Sequence, residues 1–353
     1  MKKKISILGS TGSIGQTLIN IISKNKNNFK IILLSTNKNY KKLFDQANKF
    51  NVTNLIITDK KIFLKIKKSK DSKKFNIFNN FENLESIFKD QKNDYVMSSI
   101  IGIDGLDPTL KIIKHTKKIA IANKEAIICG WSLIKKELLK HKTIFLPVDS
   151  EHFSAWFGIK DNYKHISKIY LTASGGPFLR KTRENLDNIN ISSALNHPNW
   201  KMGKKISIDS ATMMNKVFEI IEARNIFNIP INKISILTHP KSYVHAIIQF
   251  TNGMIKLIAH DTTMEIPIFN TLYSNDIKKF RSVNIKLDLL NNLQFKNIDK
   301  NRFLVVKILD KLKNDYSLFE TIIVSTNDAL VNLYLQKKIT FNQISSILLK
   351  FIQ

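Results

Sequence analysis

The chain predicts an α/β protein with a doubly wound N-terminal domain, an α/β catalytic domain with an antiparallel sheet, and a small C-terminal helical domain. Three observations carry this. Short apolar strands alternate with helical patterns as far as Asp149. A glycine-spaced turn joins the first strand to the first helix. From roughly residue 300 onward the apolar spacing is helical (Phe303, Val306, Leu309, Leu312, then Ile322, Ala329, Leu330, Leu333). Alternation of strands and helices argues a parallel sheet covered on both faces. The expected divisions are a dinucleotide-binding domain over 1–149, a catalytic and dimerisation domain over 150–285, a linker over 286–300 and the helical domain over 301–353.

The apolar run Ile5 to Leu8 enters Gly9-Ser10-Thr11-Gly12-Ser13-Ile14-Gly15, and Leu18, Ile19, Ile21 and Ile22 follow on one helical face. Strand, glycine turn and helix are the context of a Rossmann-like dinucleotide fingerprint. Gly9 permits the tight turn, Gly12 lets the backbone approach a pyrophosphate, and Gly15 lets helix and strand pack closely. The helix N-terminus offers N–H donors to phosphate. The spacing is G-x-x-G-x-x-G rather than G-x-G-x-x-G, so the pattern alone is moderately specific.

A second strand, Lys30 to Ser35, ends at Thr36-Asn37-Lys38-Asn39. The acid that binds the ribose hydroxyl of NAD is missing there, and Lys38, Lys41 and Lys42 are present. Cations suit a 2′-phosphate and favour NADP, although the same lysines also read as ordinary solvated surface. Leu55 to Thr58 is a third strand, and residues 59–93 read as a loosely specified, lysine- and asparagine-rich periphery. Strand Asp94 to Ser98 leads to Ile100–Leu106, a helix spans Pro108 to His115, and strand Lys118 to Ala122 ends in Asn123-Lys124-Glu125, where a nicotinamide is expected. A helix with Ile127, Ile128, Leu133, Ile134 and Leu138 precedes the strand Thr143 to Val148.

That strand delivers Asp149-Ser150-Glu151. Ligands sit at strand ends in α/β folds, and two acids there offer hard oxygens to one divalent cation. The same pair also reads as the end of a strand and the cap of a helix. A helix follows over His152 to Phe157, then a strand over Lys168 to Thr172. The glycine pair in Ser174-Gly175-Gly176 can present backbone N–H groups to an anion. The loop His197-Pro198-Asn199-Trp200-Lys201-Met202-Gly203 suggests a lid, with a core-packing tryptophan as the alternative. Lys205 to Ile208 reads as a strand and a helix starts near Ser210. On that helix Asn215, Lys216 and Glu219 fall at i,i+4 and i,i+3 spacing, so they can hold a phosphate or polyol and a cation from one side, or form a solvated charged face. Glu222 continues that face. Ile234 to Leu237, Val244 to Phe250 and Met254 to Ala259 read as antiparallel strands, the last two joined by Thr251-Asn252-Gly253, a strong hairpin signal. Such a sheet can support dimerisation.

The 353 residues carry a formal charge of +28 with 43% hydrophobic and 24% charged residues, a globular composition. The lysines are scattered, which argues against nucleic-acid binding as the primary function, while the positive field attracts anionic substrates. The single cysteine, Cys129, excludes an internal disulfide and fits a reducing compartment. No stretch approaches a membrane span, and a strand begins directly after Met1-Lys2-Lys3-Lys4, so the expected location is cytoplasmic.

Gly9–Gly15, Ala122-Asn-Lys-Glu125, Pro147-Val-Asp-Ser-Glu151, Ser174-Gly-Gly-Pro-Phe178, His197-Pro-Asn-Trp200 and Asp209-Ser-Ala-Thr-Met-Met-Asn-Lys216 occur in order. Together they resemble the 1-deoxy-D-xylulose 5-phosphate reductoisomerase family, from the first strand to the C-terminal helices. The resemblance implies conversion of that phosphosugar to 2-C-methyl-D-erythritol 4-phosphate with NADPH and Mg²⁺ or Mn²⁺, in a homodimer. By it, Asp149, Glu151 and Glu219 bind the metal, and these three with Lys216 and His197 form the catalytic set. Ser150, Glu151, Ser174, His197, Trp200, Ser210, Asn215, Lys216 and Glu219 contact the substrate, and Met202 joins Trp200 in the lid. Thr11, Gly12, Ser13, Ile14, Asn37, Lys38, Asn39, Asn123, Lys124, Glu125, Gly203 and Met264 hold NADPH.

Three departures stand out. Asn37 replaces a usual glycine, and asparagine tolerates φ > 0 better than most residues. Val217 replaces a common glycine beside the catalytic helix. The sequence stops at Gln353, short of a usual final helical segment. Two other readings remain at this stage. One is a metal-independent NADP-dependent dehydrogenase, which needs a catalytic cysteine that Cys129 is poorly placed to be; the other is a non-enzymatic phosphometabolite- or nucleic-acid-binding protein.

Overall fold

The computed structural model describes residues 2–69, 73–159, 165–182, 184–186, 189–200, 202–274, 278–280 and 284–352. The chain forms two compact units, residues 1–149 with 264–280 and residues 150–263 with 281–353.

The first unit is built on seven strands: β1 (Lys3–Leu8), β2 (Phe29–Thr36), β3 (Asn54–Ile57), β4 (Asn76–Phe78), β5 (Tyr95–Ser98), β6 (Lys118–Ile121) and β7 (Ile144–Pro147). Their order is β4-β3-β2-β1-β5-β6-β7, and all pair in parallel. Strands covered on both faces read as continuous apolar runs, and Ile5, Ile7, Leu8, Leu33 and Leu34 are 0% exposed. The order reverses at β1 and β5, so the glycine turn after β1 opens at the topological switch point. The helix Ser13–Lys24 buries Leu18, Ile19, Ile21 and Ile22, each worth roughly 1.5–3 kcal/mol.

The periphery is more ordered than the sequence suggests. Residues 59–93 contain the helix Lys60–Lys67, β4 and a short helix Leu84–Ile87. Asp59 starts the first of these by accepting the Ile62 N–H at 2.9 Å. Only Ile66 of that helix is buried, so its lysines mask a real amphipathic pattern. The expected domain boundary at 285 also differs from the observed division. The helix Glu265–Leu272 belongs to the first unit: Thr271 Oγ1 lies 3.1 Å from the buried Tyr95 hydroxyl, and Lys3 Nζ donates to Leu272 O at 3.0 Å.

The second unit carries β8 (Ile166–Ala173), β9 (Ile234–Thr238), β10 (Val244–Phe250), β11 (Ile255–Ala259) and β12 (Lys296–Asn297), in the order β11-β10-β8-β9-β12. The sheet is mixed rather than antiparallel throughout. β10 runs antiparallel to β8 and β11, whereas β9 pairs parallel to β8. The Asn252-Gly253 turn does close the β10–β11 hairpin, with Gly253 at φ +85. The helix Ser150–Ile159 lies on this sheet so closely that a Cβ at Gly158 would stand 2.6 Å from Ile248 Cδ1.

The expected strand at Lys205–Ile208 is a helix, Lys204–Thr212. The alternation Lys-Ile-Ser-Ile-Asp mimics a period of two, yet the buried residues are Ser207, Ile208, Asp209, Ala211 and Thr212, in which Ser207, Ile208, Ala211 and Thr212 recur at helical i, i+3 and i+4 spacing. Met213, at φ +70, breaks the path, and a second helix runs from Met214 to Phe227. Val217 sits wholly buried there. The expected linker and separate C-terminal domain also differ from what is found, because residues 281–353 form one unit with residues 150–263. The helices Phe319–Leu335 and Phe341–Phe351 pack onto the rest of that unit. Arg224 pairs with Glu320 at 2.8 Å with both side chains buried, and Phe341 meets Phe178 edge-on at 5.2 Å.

Candidate active site

In the first unit the three glycines of the turn each meet a different constraint. Gly9 adopts φ +82, and a Cβ there would meet Ser99 O at 2.7 Å. A Cβ at Gly15 would stand 2.5 Å from Gly9 O and 2.6 Å from Ser10 Cα, so helix and turn touch backbone to backbone. Gly12, the residue before the helix, is exposed and has only Gly9 O near its Cβ position, at 3.4 Å. Ser13 is exposed and Ile14 half-buried beside it, and Thr11 Oγ1 lies 2.6 Å from Thr36 Oγ1. The turn thus stands open at its outer rim and closed at its base.

After β2, Asn37, Lys38 and Asn39 are all exposed. Asn37 is not among the residues with positive φ; its side chain donates to Thr58 Oγ1 at 2.9 Å, so this turn does not require glycine. Asn39 caps the next helix by accepting the Lys42 N–H at 3.3 Å. Lys38 Nζ is 3.8 Å from Asp59. That carboxylate competes with any phosphate for the lysine, a feature the local sequence at β2 does not reveal.

Asn123 is 3% exposed and accepts the Ala126 N–H at 2.7 Å. Its amide also donates to Gly102 O at 2.6 Å and to Ile100 O, so it pins the loop after β5 to the start of the following helix. Lys124 Nζ donates to Asp149 Oδ2 at 2.5 Å, and Glu125 is buried beside it. Met264, half-buried, precedes the helix Glu265–Leu272.

The second unit assembles the remaining predicted residues. Ser150 donates to Glu151 Oε2 at 2.6 Å, and Lys216 Nζ reaches Glu151 Oε1 at 3.0 Å and Glu219 Oε2 at 2.5 Å. Asn215 donates to Glu219 Oε1 at 2.5 Å. The i,i+3 and i,i+4 spacing therefore does bring Asn215, Lys216 and Glu219 together, on a buried face rather than a solvated one. Glu219 is 1% exposed. Asp149 is held next to Glu151 by the chain itself, and one carboxylate oxygen from each of Asp149, Glu151 and Glu219 lies within 4.8 Å of the others. Three hard oxygens so spaced fit one Mg²⁺ or Mn²⁺.

His197 has a definite tautomer. Its Nδ1 accepts the backbone N–H groups of Asn199 (3.1 Å) and Trp200 (3.0 Å), so the ring proton sits on Nε2 and points to Ser174 Oγ at 3.0 Å. Burial, and then the positive charge of Lys216, push its pKa down to about 4. Ser174 Oγ also accepts the Gly176 N–H at 3.1 Å, which leaves its own proton to donate. Gly175 and Gly176 have φ +86 and +68, and a Cβ at Gly176 would stand 2.9 Å from Ser210 O. The glycine pair thus lets Ser174 and Ser210 approach. Trp200 is half-buried, its ring edge-on to His245 at 6.2 Å, and Met202 is half-buried nearby in sequence. Lys201 of this loop lies outside the described residues. Gly203 is exposed and starts the helix Lys204–Thr212.

Some residues at this site were not singled out from the sequence. His152 donates through Nε2–H to Glu219 O at 2.9 Å, because a carbonyl only accepts. Asn199 donates to Pro240 O (2.8 Å) and Ser242 Oγ (2.9 Å), holding the His197 loop down. His245 stacks on His260 at 3.8 Å, and burial pushes its pKa down to about 3. A histidine directly after Glu151 and an Asn after His-Pro were the available signals.

A parallel doubly wound domain with an open glycine turn, followed in the chain by a carboxylate–lysine cluster and a neutral histidine, defines a nucleotide-dependent oxidoreductase that handles anionic substrates. Family models described as 1-deoxy-D-xylulose 5-phosphate reductoisomerase match residues 5–130, and those described as its C-terminal domains match 145–227 and 261–353. The chain belongs to the 1-deoxy-D-xylulose 5-phosphate reductoisomerase family. The reductoisomerase of Pelagibacter ubique is 59% identical over 99% of this chain and 90% of its own, and that of Clostridium kluyveri is 40% identical over 98% and 91%. The Zymomonas mobilis reductoisomerase in complex with NADPH superposes with a TM-score of 0.89 at 31% identity, covering 100% of this chain and 92% of that one. A reductoisomerase in complex with NADPH, fosmidomycin and magnesium gives 0.91 at 31% identity, over 99% and 89%.

Proposed function

We propose that the chain converts 1-deoxy-D-xylulose 5-phosphate to 2-C-methyl-D-erythritol 4-phosphate with NADPH and a divalent cation, a step of isoprenoid biosynthesis. The observation that carries this reading is the set of three carboxylates within 4.8 Å, with Lys216 drawn onto two of them. Neither a metal-independent dehydrogenase nor a simple binding protein accounts for that set.

Asp149, Glu151 and Glu219 would hold the cation, which would supply Lewis acidity and a template, and NADPH would supply the hydride. Glu219 is aimed by Asn215 and Lys216, and its backbone is fixed by His152. Ser174, Ser210, Asn215 and Lys216 hold the substrate phosphate, and this remote binding energy keeps the reacting carbons in place. Ser150 and Glu151 touch the substrate backbone. His197, neutral at working pH, orients Ser174 and lines the pocket. Trp200 and Met202 close over it and exclude water. Thr11, Gly12, Ser13, Ile14, Asn37, Lys38, Asn39, Asn123, Lys124, Glu125, Gly203 and Met264 are the residues that would hold NADPH. The first unit, residues 1–149 with 264–280, is the NADPH-binding part, and the second unit is the catalytic part.

The protein works as a homodimer in the cytoplasm. The dimer reading is supported by β11, an edge strand that exposes Ile255 and Leu257, with Met254 exposed beside them. The cytoplasmic reading is supported by a lone cysteine. Among the described residues no helix is long and apolar enough to cross a membrane.

The test is NADPH absorbance loss with 1-deoxy-D-xylulose 5-phosphate and Mn²⁺, comparing wild type with Glu219→Gln. Removing one ligand charge lowers turnover at least about a hundredfold. Undiminished turnover in the variant would take Glu219 out of the metal shell, and a folded wild type inactive with both Mn²⁺ and Mg²⁺ would sink the reaction.

A further inference from the structure

Asp209 lies one residue before Ser210 on the helix Lys204–Thr212 and is 2% exposed. A carboxylate that deep is costly unless it is paired and hydrogen-bonded. Lys205, one turn earlier on the same helix, places Nζ 2.9 Å from Asp209 Oδ2 and 3.0 Å from Asp328 Oδ1. Asn327 donates to Asp209 Oδ1 at 2.8 Å. The Lys205 ammonium also stands over the Phe218 ring, 4.9 Å from its centroid. Phe218 precedes Glu219 on the helix Met214–Phe227, while Asn327 and Asp328 are on Phe319–Leu335. One ammonium therefore touches three helices.

This matters because Ser210 and the pair Asn215–Lys216 stand on different helices separated only by the left-handed residue Met213. The backbone ties across this break converge on Met213 alone, whose N–H donates to Ser210 O at 3.2 Å and whose O accepts the Lys216 and Val217 N–H groups at 3.1 and 3.3 Å, so side-chain ties further from the pivot add to what sets the angle between the two helices. We infer that Lys205 is a positioning residue for phosphate recognition: bridging Asp209, Asp328 and the Phe218 ring, it fixes the two helices so that Ser210, Asn215 and Lys216 converge on one anion. The inference rests on the reading in which those three hold the substrate phosphate. Lys205 itself touches no substrate in this account, and its effect belongs to binding rather than to the reacting bonds.

The experiment compares wild type, Lys205→Met, Lys205→Arg and Asp328→Asn by NADPH oxidation with Mg²⁺. It records kcat, KM for the phosphosugar and the inhibition constant of inorganic phosphate. Lys205→Met raises KM and the phosphate inhibition constant together, about tenfold, as expected for coupled neighbours, while kcat at saturation stays within about twofold. Lys205→Arg recovers most of the loss, because a guanidinium can span two carboxylates. Asp328 is 33% exposed, so Asp328→Asn folds even if Lys205→Met does not, and it shifts both constants in the same direction by about threefold. Unchanged constants in Asp328→Asn and Lys205→Met, or a fall in kcat with the phosphate constant unmoved, overturn the inference. Ser210→Ala separates the two levels. If it too leaves phosphate inhibition unchanged, the phosphate assignment falls and the inference with it. If it weakens inhibition while the Lys205 and Asp328 variants do not, only the inference falls.

Discussion

At the scale of single residues, His197 shows how burial and hydrogen bonding set chemistry. Two backbone N–H groups take its Nδ1, and Ser174 faces its Nε2. With its pKa near 4 in the fold against 6.5 ordinarily, the unfolded chain takes up a proton first as pH falls. Stability from this group is complete above pH 6.5 and is lost as pH drops from 6.5 towards 4. His245, at about 3, continues the loss to lower pH. Thermal melts at pH 7 and 4.5 should therefore differ less in His197→Asn than in wild type; an equal drop in both would remove His197 from the acid response. The sequence pointed to His197 only through family resemblance, since nothing in a lone His-Pro reveals two converging amides. Lys216 and Glu219 were visible as neighbours by helical spacing, but not whether they faced solvent. Asp209 and Asn327, more than a hundred residues apart, were invisible as a pair, because long-range side-chain partners leave no periodic trace.

At the scale of elements, legibility follows how much of the pattern is local. β1, β2 and β5 were plain, being apolar runs bounded by turns. β9 was found as a strand, yet its direction was not, since pairing beside β8 depends on the whole sheet. Lys204–Thr212 was misread because five alternating residues outweigh one turn of helix when the caps are weak. The glycine turn gives an element-level prediction with two arms. Gly15→Ala drives a Cβ into Gly9 O and Ser10 Cα, so it should cost about 1–3 kcal/mol and lower the melting temperature. Gly12→Ala meets only Gly9 O, at 3.4 Å; it should leave the melting temperature nearly unchanged and weaken NADPH several-fold, as read by the KM for NADPH. Equal effects of the two on stability would refute the division of labour between them.

At the scale of the whole molecule, the doubly wound half and the helical C-terminal region were legible, but the divisions between units were not. Residues 264–280 return to the first unit through Tyr95 and Lys3, and a chain that leaves a domain and comes back carries no composition shift to mark it. The proposed dimer is tested here too. Leu257 is 45% exposed on β11, and Leu257→Glu should convert the protein to monomers in light scattering; an unaltered mass would move the interface elsewhere. The mixed sheet has one further consequence. Its β9 side is closed by the two-residue β12, with His239 Nδ1 bound to Gln294 O at 2.9 Å alongside, whereas the β11 side is open. If the proposed dimer joins two β11 edges, the two-residue β12 at the other edge offers a third copy little to pair with, and assembly would stop at two rather than run on into a filament.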